Sequence, residues 1–142
     1  MFIGQYEYSI DNKNRLFIPS KFRTGVRKFF VTRGLEGCLF MYTPNMWQEI
    51  TAKFKKLPLT KTEARSFLRM LLSGAAECDV DRQGRILVPQ NLCGWAKLKK
   101  NIIIVGVLDR FEIWSKEEWK LYSVKSLRSF TDSAEKLIDL GI

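Results

Sequence analysis

One short pattern occurs twice in this chain, 70 positions apart. Residues 11–19 read DNKNRLFIP and residues 81–89 read DRQGRILVP, so Asp, Arg and Pro recur with three apolar residues between Arg and Pro. Residues 39–47 and 111–119 are also similar, at a spacing of 72. Matching anchors in the same order indicate a duplicated module of about 45 residues. A module that small rarely buries a sufficient core alone, so we predict that the two copies share one.

Each motif predicts a strand, a tight turn and a second strand that ends at proline. We call residues 11–15 the first turn and residues 81–85 the second turn. Asp11 and Asp81 are suited to accept backbone N–H bonds within each turn. Asn14 and Gly84 stand where a positive φ is wanted, and these residue types adopt it most easily. The arginine at the end of each turn then projects from the start of a strand.

Helical patterns alternate with the strands and predict an α+β fold. Thr43–Pro44 is a typical helix start, and Ser115 with Glu118 forms a capping-box pattern. A further helix is predicted from Thr60 or Thr62, with Glu63 completing a capping box from Thr60. Its apolar residues have the spacing of a buried stripe. They are Ala64, Phe67, Leu68, Leu71, Leu72 and Ala75, and a last helix is predicted from about Asp132.

The net charge of +9 is concentrated in the first half of the chain. Residues 1–71 carry 13 Lys/Arg against 5 Asp/Glu, whereas residues 72–142 carry 11 against 10. This excess favours a polyanionic partner, because each neutralised phosphate releases counterions. Residues 11–28 alone have a net charge of +5. The basic residues of the two predicted middle helices are more typical of a solvated helix face than of a phosphate track: Lys53, Lys55, Lys56, Lys61, Arg65 and Arg69.

Several function classes find no support in the sequence. The chain has no His, so a Ser or Cys nucleophile would need an unusual base, and no Gly-rich phosphate-binding motif is present. Three widely spaced Cys without a CxxC pair predict buried thiols in a reducing compartment rather than a zinc site. No apolar run is long enough to cross a bilayer, and the start lacks the pattern of a secretory signal. We therefore expect a soluble, unexported protein that is not an enzyme, with no catalytic residues, cofactor or metal.

The two motifs resemble the paired half-modules of the MraZ family. Residues 1–4 (MFIG), 71–78 (LLSGAAEC) and 111–114 (FEIW) also look like that family, and the similarity weakens only after about Tyr122. The resemblance implies two tandem AbrB-like β modules, of swapped-hairpin or double-psi-like barrel type, with appended helices. We divide the chain accordingly into module 1 (1–50), connecting helices (51–75), module 2 (76–120) and a C-terminal helical tail (121–142). Asn14 departs from the usual Gly of the family, and Gln83 from a small residue.

The resemblance further implies a bacterial DNA-binding transcriptional regulator of the division and cell-wall gene cluster that contains its own gene. It implies a ring-like homo-oligomer, so the expected partners are double-stranded DNA and further copies of the chain, with no membrane and no small-molecule substrate. The expected location is the cytoplasm, in association with the nucleoid. Whether such a regulator represses or activates is left open. Two other classes also stay open, a structural or protein-interaction ring and an RNA-binding module.

The candidate DNA-binding residues are Lys13, Arg15, Lys21, Arg23, Arg82 and Arg85. Arg15 is the candidate for a base or phosphate contact, since a rigidly held guanidinium suits bidentate contacts. Lys13 is the candidate for phosphate or base, and Lys21 and Arg23 for the DNA backbone. From spacing alone, Arg15 could equally pair with Asp11 and stabilise the turn. The basic surroundings favour the first turn as the DNA-reading one.

Overall fold

The chain has a mixed α+β fold, as predicted at that level. A computed structural model describes residues 1–141, and within them are eight strands, five α-helices and three short 3-10 helices. Residue 142, the last of the predicted tail, lies outside this range. The strands are β1 (Gln5–Ser9), β2 (Arg15–Phe17), β3 (Lys28–Arg33), β4 (Leu39–Tyr42), β5 (Ala76–Asp79), β6 (Arg85–Leu87), β7 (Asn101–Val107) and β8 (Arg110–Ser115). The α-helices are α1 (Pro44–Phe54), α2 (Thr62–Ser73), α3 (Gln90–Trp95), α4 (Lys116–Arg128) and α5 (Phe130–Lys136). The 3-10 helices are Ser20–Phe22, Leu35–Gly37 and Ile138–Leu140.

Six strands form one antiparallel sheet in the order β1-β7-β8-β4-β3-β5. Strands of the two copies are mixed in this order, because β1 pairs with β7, β4 with β8 and β3 with β5. Backbone hydrogen bonds therefore join the copies at three places in the sheet. Neither copy forms the sheet alone, and the largest apolar cluster contains residues of both. The predicted shared core is confirmed.

The strands that follow the two turns, β2 and β6, pair with each other in a separate two-stranded ribbon. Leu16 lies opposite Ile86 at the centre of this ribbon. The apolar triplet of each motif alternates as a half-buried strand should, so Phe17 and Leu87 point outward, 45% and 59% exposed. The inward residues of both triplets belong to the common core: Leu16, Ile18, Ile86 and Val88.

Two helix starts follow the predicted capping chemistry. The Thr43 hydroxyl accepts the N–H of Met46 at 3.3 Å, with Pro44 at the first helical position of α1. The Ser115 hydroxyl accepts the N–H of Glu118 at 3.4 Å and begins α4 directly after β8. In both copies a capped helix therefore begins at the end of a central strand. This shared arrangement accounts for the similarity between residues 39–47 and 111–119.

The helix α2 begins at Thr62, one of the two predicted starts, but its capping and its packing differ from the prediction. Its N-cap is Lys61, without a side-chain cap, so the predicted capping box from Thr60 is wrong. The predicted buried stripe is also wrong: Leu71 is buried, but Phe67 and Leu72 are 40% and 44% exposed. The reason is that α2 is held at its last turn, where the Thr32 hydroxyl donates to the carbonyl of Leu71. The periodicity indicates an apolar face that residues 1–141 cover only in part, at Leu71 and where Phe67 contacts the ring of Phe54, with 5.8 Å between the ring centres.

Two further elements differ from the sequence-based expectations. α3 follows Pro89 where no helix is predicted, because the segment lacks a Ser, Thr, Asp or Asn cap. The signal for it is the buried set Leu92, Cys93 and Ala96, which has the spacing of one helical turn. The last helix is predicted from about Asp132, whereas α5 begins at Phe130 and ends at Lys136.

Among residues 1–141, no helix combines the length and the apolar character that crossing a bilayer requires.

Candidate nucleic-acid interface

The first turn is closed by the carboxylate of Asp11. Its Oδ1 accepts the backbone N–H groups of Lys13 and Arg15, both at 2.9 Å. Its Oδ2 accepts the Nε–H of the Arg15 guanidinium at 2.8 Å. Asn14 has a φ of 62°, and its N–H donates to the carbonyl of Asp11 at 3.0 Å. One carboxylate therefore fixes both the backbone of the turn and the direction of the arginine.

The second turn repeats this geometry with different residues. Asp81 Oδ1 accepts the N–H groups of Gln83 and Arg85 at 2.9 Å, and its Oδ2 accepts Arg85 Nε–H at 2.9 Å. Gly84 has a φ of 83°. The Asp and Arg shared by both motifs thus make the same bonds in both copies. The residues between them can vary because they contribute mainly their backbone.

These bonds lower the pKa of both aspartates. For Asp11 the main cause is the backbone N–H of Arg15, and the Arg15 guanidinium acts in the same direction. For Asp81 the backbone N–H of Arg85 is the main cause, again with help from the guanidinium. Each hydrogen bond favours the charged form of the acceptor. Both carboxylates are therefore ionised at neutral pH, and each turn carries a fixed pair of opposite charges.

Each turn arginine is held through one of its three side-chain nitrogens, Nε. Within residues 1–141, the hydrogen bonds of the Arg15 side chain and of the Arg85 side chain are made through Nε. The side chain of Arg15 is 34% exposed and that of Arg85 is 21% exposed. The Cζ of Arg85 also lies 5.9 Å from the centre of the Phe17 ring. Pairing with aspartate and contact with a ligand are therefore compatible, and Arg15 is the more accessible of the two.

The other predicted contact residues are distributed over both turns. Lys13 and Arg82 are exposed at the first and the second turn. Lys21 is exposed on the 3-10 helix that follows β2, and its Nζ lies 4.6 Å from the centre of the Tyr6 ring. Arg23 lies against the second turn, because a Cβ built on Gly84 would be 2.6 Å from the Arg23 Cζ. A residue of the first copy is thus part of the surroundings of the second turn.

The pairing of the copies redistributes the basic residues that the sequence assigns to the first turn. Val80, just before the second turn, donates its N–H to the carbonyl of Arg27 at 2.9 Å. Ile10, just before the first turn, donates in the same way to Lys100 at 2.9 Å. Lys99 and Lys100, which are not among the residues predicted from the sequence, line a cleft of about 400 Å³ together with Asp11. The sequence signal for them is only the basic run Lys97–Lys100, whose location depends on the β1–β7 pairing.

The two turns lie at opposite ends of the β2–β6 ribbon. The strands are antiparallel, and each turn precedes its strand. Accordingly the Val88 N–H donates to the carbonyl of Asn14 at 2.8 Å at one end, and the Ile18 N–H donates to the carbonyl of Gly84 at 3.0 Å at the other. One chain therefore carries two similar basic turns, one at each end of the β2–β6 ribbon.

In the part of the chain that the structure describes, no group of three or more Cys, Asp or Glu side chains has a geometry that could hold a metal ion. All three Cys are free and buried, as the sequence predicts. Burial raises the pKa of the Cys78 thiol to about 11. The thiol is therefore protonated and unreactive at neutral pH.

The fold and the turns define a class of protein, namely a duplicated β module whose interleaved copies each present an arginine from an Asp-closed turn. A family model described as "MraZ protein, putative antitoxin-like" matches residues 1–70 and again residues 71–141. The chain is 50% identical over 141 residues to a protein of Desulforamulus reducens, covering 99% of both chains. It is 52% identical over 143 residues to a protein of Thermoanaerobacter sp. strain X514, covering all of both chains. Both relatives are named "Transcriptional regulator MraZ".

The chain belongs to the MraZ family. The two matched segments meet between residues 70 and 71, so the family model divides the chain at the repeat spacing. The relatives' names describe regulators of transcription, and the prediction that this chain is not an enzyme is confirmed by the family it belongs to.

Proposed function

We propose that the chain is a sequence-specific DNA-binding transcriptional regulator that acts on its own operon in the division and cell-wall gene cluster. The observation that carries this proposal is the Asp-closed first turn, which fixes Arg15 through Nε while its side chain remains 34% exposed. A guanidinium fixed in this way loses little entropy when it binds a guanine edge or a phosphate. The names of the relatives support regulation of transcription.

In this proposal the first turn is the DNA-contacting element of each subunit. Lys13 is exposed at its tip, and Arg15 is more accessible than its counterpart Arg85. Lys99 and Lys100 add positive charge beside the same turn. Lys21 is an additional candidate for the DNA backbone. Arg82 and Arg85 belong to the second turn, which is also basic, so the two turns have to be compared by experiment.

We further propose that the two modules are AbrB-like halves of one β unit and that several subunits assemble into a ring. Pairing of β2 with β6 across the copies supports the first part. The partly exposed apolar face of α2 supports the second, because a second copy of the chain would bury the rest of it. A regulator of this kind works in the cytoplasm in association with the nucleoid. An assembly also lets weak single-turn contacts act together on repeated DNA elements.

The experiment exchanges turn-tip residues between the copies. Lys13→Gln gives the first turn the residue found at the equivalent position of the second, Gln83. Lys125→Gln removes the same charge from an exposed position on α4 and is the matched control. Binding to a duplex from the chain's own upstream region is measured by fluorescence anisotropy at several salt concentrations. We expect Lys13→Gln to weaken binding and to lower the salt slope by about 1 per bound subunit.

The same titrations separate the other function classes. An unchanged affinity and salt slope for Lys13→Gln, with a loss for Arg82→Gln, would transfer the contact to the second turn. Absence of salt-dependent binding to any duplex would contradict the proposal and favour a structural ring. Stronger binding to single-stranded or folded RNA than to duplex DNA would favour an RNA-binding module.

A further inference from the structure

The segments that follow β2 and β6 cross over, so that each copy packs on the turn of the other. In the first copy this segment is the 3-10 helix Ser20–Phe22, with Arg23 at its end. In the second copy it is α3, which begins at Gln90. Gln90 Oε1 accepts Asn14 Nδ2–H at 2.7 Å at the first turn, while Arg23 lies at the second. Each turn is therefore contacted by a residue far away in the chain, 76 positions for Asn14 and Gln90 and 61 for Gly84 and Arg23.

The contact at the second turn means that a side chain at position 84 would displace the guanidinium of Arg23. A Cβ built there would lie 2.6 Å from Arg23 Cζ, 2.7 Å from Nε and 2.8 Å from Nη2. Arg23 is held in this place because its Nε–H donates to the carbonyl of Ile18 at 3.1 Å. Ile18 in turn donates its N–H to the carbonyl of Gly84 at 3.0 Å. The arginine thus contacts the turn and also the strand that is bonded to it.

The equivalent contact at the first turn is built differently. Asn14 carries a side chain at the same positive φ, and that side chain bonds to Gln90. The residue equivalent to Arg23 is Cys93, a small buried side chain whose Sγ lies 3.7 Å from the carbonyl of Val88. The small Cys93 is therefore matched with the side chain of Asn14 at the first turn. The large Arg23 is matched with Gly84, which has no side chain, at the second turn.

We propose that Arg23 is a positioning residue of the second turn and not a contact to the DNA backbone. Its side chain fills the space over Gly84 and fixes the position of the turn through that contact and through Ile18. Glycine at position 84 is then favoured by Arg23, since the positive φ alone also accepts asparagine, as at Asn14. This separates Arg23 from Lys21, the other residue predicted to contact the DNA backbone.

A double-mutant cycle tests the steric part of this proposal without DNA. Gly84→Asn keeps a residue type that tolerates positive φ, so its cost reports mainly on the clash with Arg23. We expect it to lower Tm by several degrees in the wild-type background and much less in an Arg23→Ala background. The matched control is Gly37→Asn, since Gly37 has a φ of 84° and nothing near its built Cβ. It should behave alike in both backgrounds.

Equal losses for Gly84→Asn in both backgrounds would overturn the proposal. If Arg23→Ala does not fold, Arg23→Cys supplies the second background, because it places the residue of the other copy at this position. Hydrogen exchange gives a local readout that a general loss of stability would not reproduce. Arg23→Ala should speed exchange at the amides of Ile18 and Arg85 and leave that of Arg15 unchanged; equal acceleration at both turns would contradict a local role.

A final arm rests on the proposed DNA binding. In the salt titrations Arg23→Ala should keep the wild-type salt slope, whereas loss of a phosphate contact would lower it by about 1 per bound subunit. A lowered slope would show that Arg23 contacts DNA and would overturn its assignment as a positioning residue. If the chain binds no DNA at all, the proposed function fails, but the cycle and the exchange data still decide the role of Arg23.

Discussion

At the scale of single residues, the repeated motif specifies one carboxylate in each turn and the hydrogen bonds that this carboxylate accepts. Asp11 and Asp81 each accept two backbone N–H groups and one guanidinium N–H, with donor–acceptor distances that agree within 0.1 Å between the copies. The positive φ of Asn14 and Gly84 follows from turn chemistry that the sequence displays. The contacts of the turns with Gln90 and Arg23 cannot be predicted in this way, because these residues lie 76 and 61 positions away and their location depends on how the copies pair.

The lowered pKa of Asp81 makes the stability of the second turn dependent on pH. A carboxyl whose pKa falls on folding stabilises the fold above its unfolded pKa, and this contribution is lost as the pH falls through the folded value. We expect Asp81→Asn to be less stable than wild type at pH 7, with a difference that shrinks as the pH falls below the ordinary value of 3.8. Urea unfolding of both proteins at pH 7, 4 and 3 measures this.

The control for this experiment is Asp79→Asn, which removes another exposed carboxylate two residues away. Asp79→Asn and Asp81→Asn have the same net charge, so an effect of net charge on stability would appear in both variants. A difference between wild type and Asp81→Asn that stays constant from pH 7 to pH 3 would show that ionisation of Asp81 does not stabilise the turn.

At the scale of elements, local signals predict those structures whose stability is local. The caps at Thr43 and Ser115 are found as predicted, because a cap depends on a few adjacent residues. For α2 the periodicity predicts a helix correctly but its burial wrongly. An apolar stripe shows that a face will be covered and does not show which surface covers it.

Attachment of α2 through its last turn leads to a contrast between two adjacent leucines. Leu71 is 7% exposed and Leu72 is 44% exposed. We expect Leu71→Ala to lower the free energy of unfolding by about 2–3 kcal/mol, since it leaves a cavity against the sheet. Leu72→Ala should lower it by only about 0.5 kcal/mol. Urea unfolding at one fixed protein concentration compares them, and equal losses would mean that α2 packs on the body along its whole length.

At the scale of the whole molecule, the duplication predicts a shared core but not the way in which the copies interleave. Strand order depends on pairings between residues far apart, such as Gln5 with Val105, which no local pattern encodes. For the same reason, the basic residues that surround each turn are not the ones that the sequence predicts. The sequence places Arg23 and Arg27 beside the first turn, whereas the fold brings both to the second and brings Lys99 and Lys100 to the first.

Assembly is the property at this scale that the proposed function needs most. If a second copy covers the apolar face of α2 at Phe67 and at the exposed Met70 beside it, one turn further along the helix, then Phe67→Glu with Met70→Glu should reduce the size of the assembly, because charges would be buried at the interface. Both residues are exposed within one chain, 40% and 56%; the change removes the contact of Phe67 with the Phe54 ring but no buried side chain, so we expect the chain to fold. Sedimentation velocity measures the size, and the matched control is Ser66→Glu with Ser73→Glu, which adds the same charge at exposed positions of α2.

The same variants connect assembly to DNA binding. Linked contacts gain affinity from effective concentration, so loss of the assembly should weaken binding to DNA with several repeated elements by about 100-fold or more. Binding to a duplex that carries one element should change little, because each first turn is intact. If the Phe67–Met70 variant dissociates but binds the repeated DNA as tightly as wild type, then single subunits carry the affinity and the ring is not needed for recognition. If it keeps the wild-type size, α2 does not form the interface between subunits.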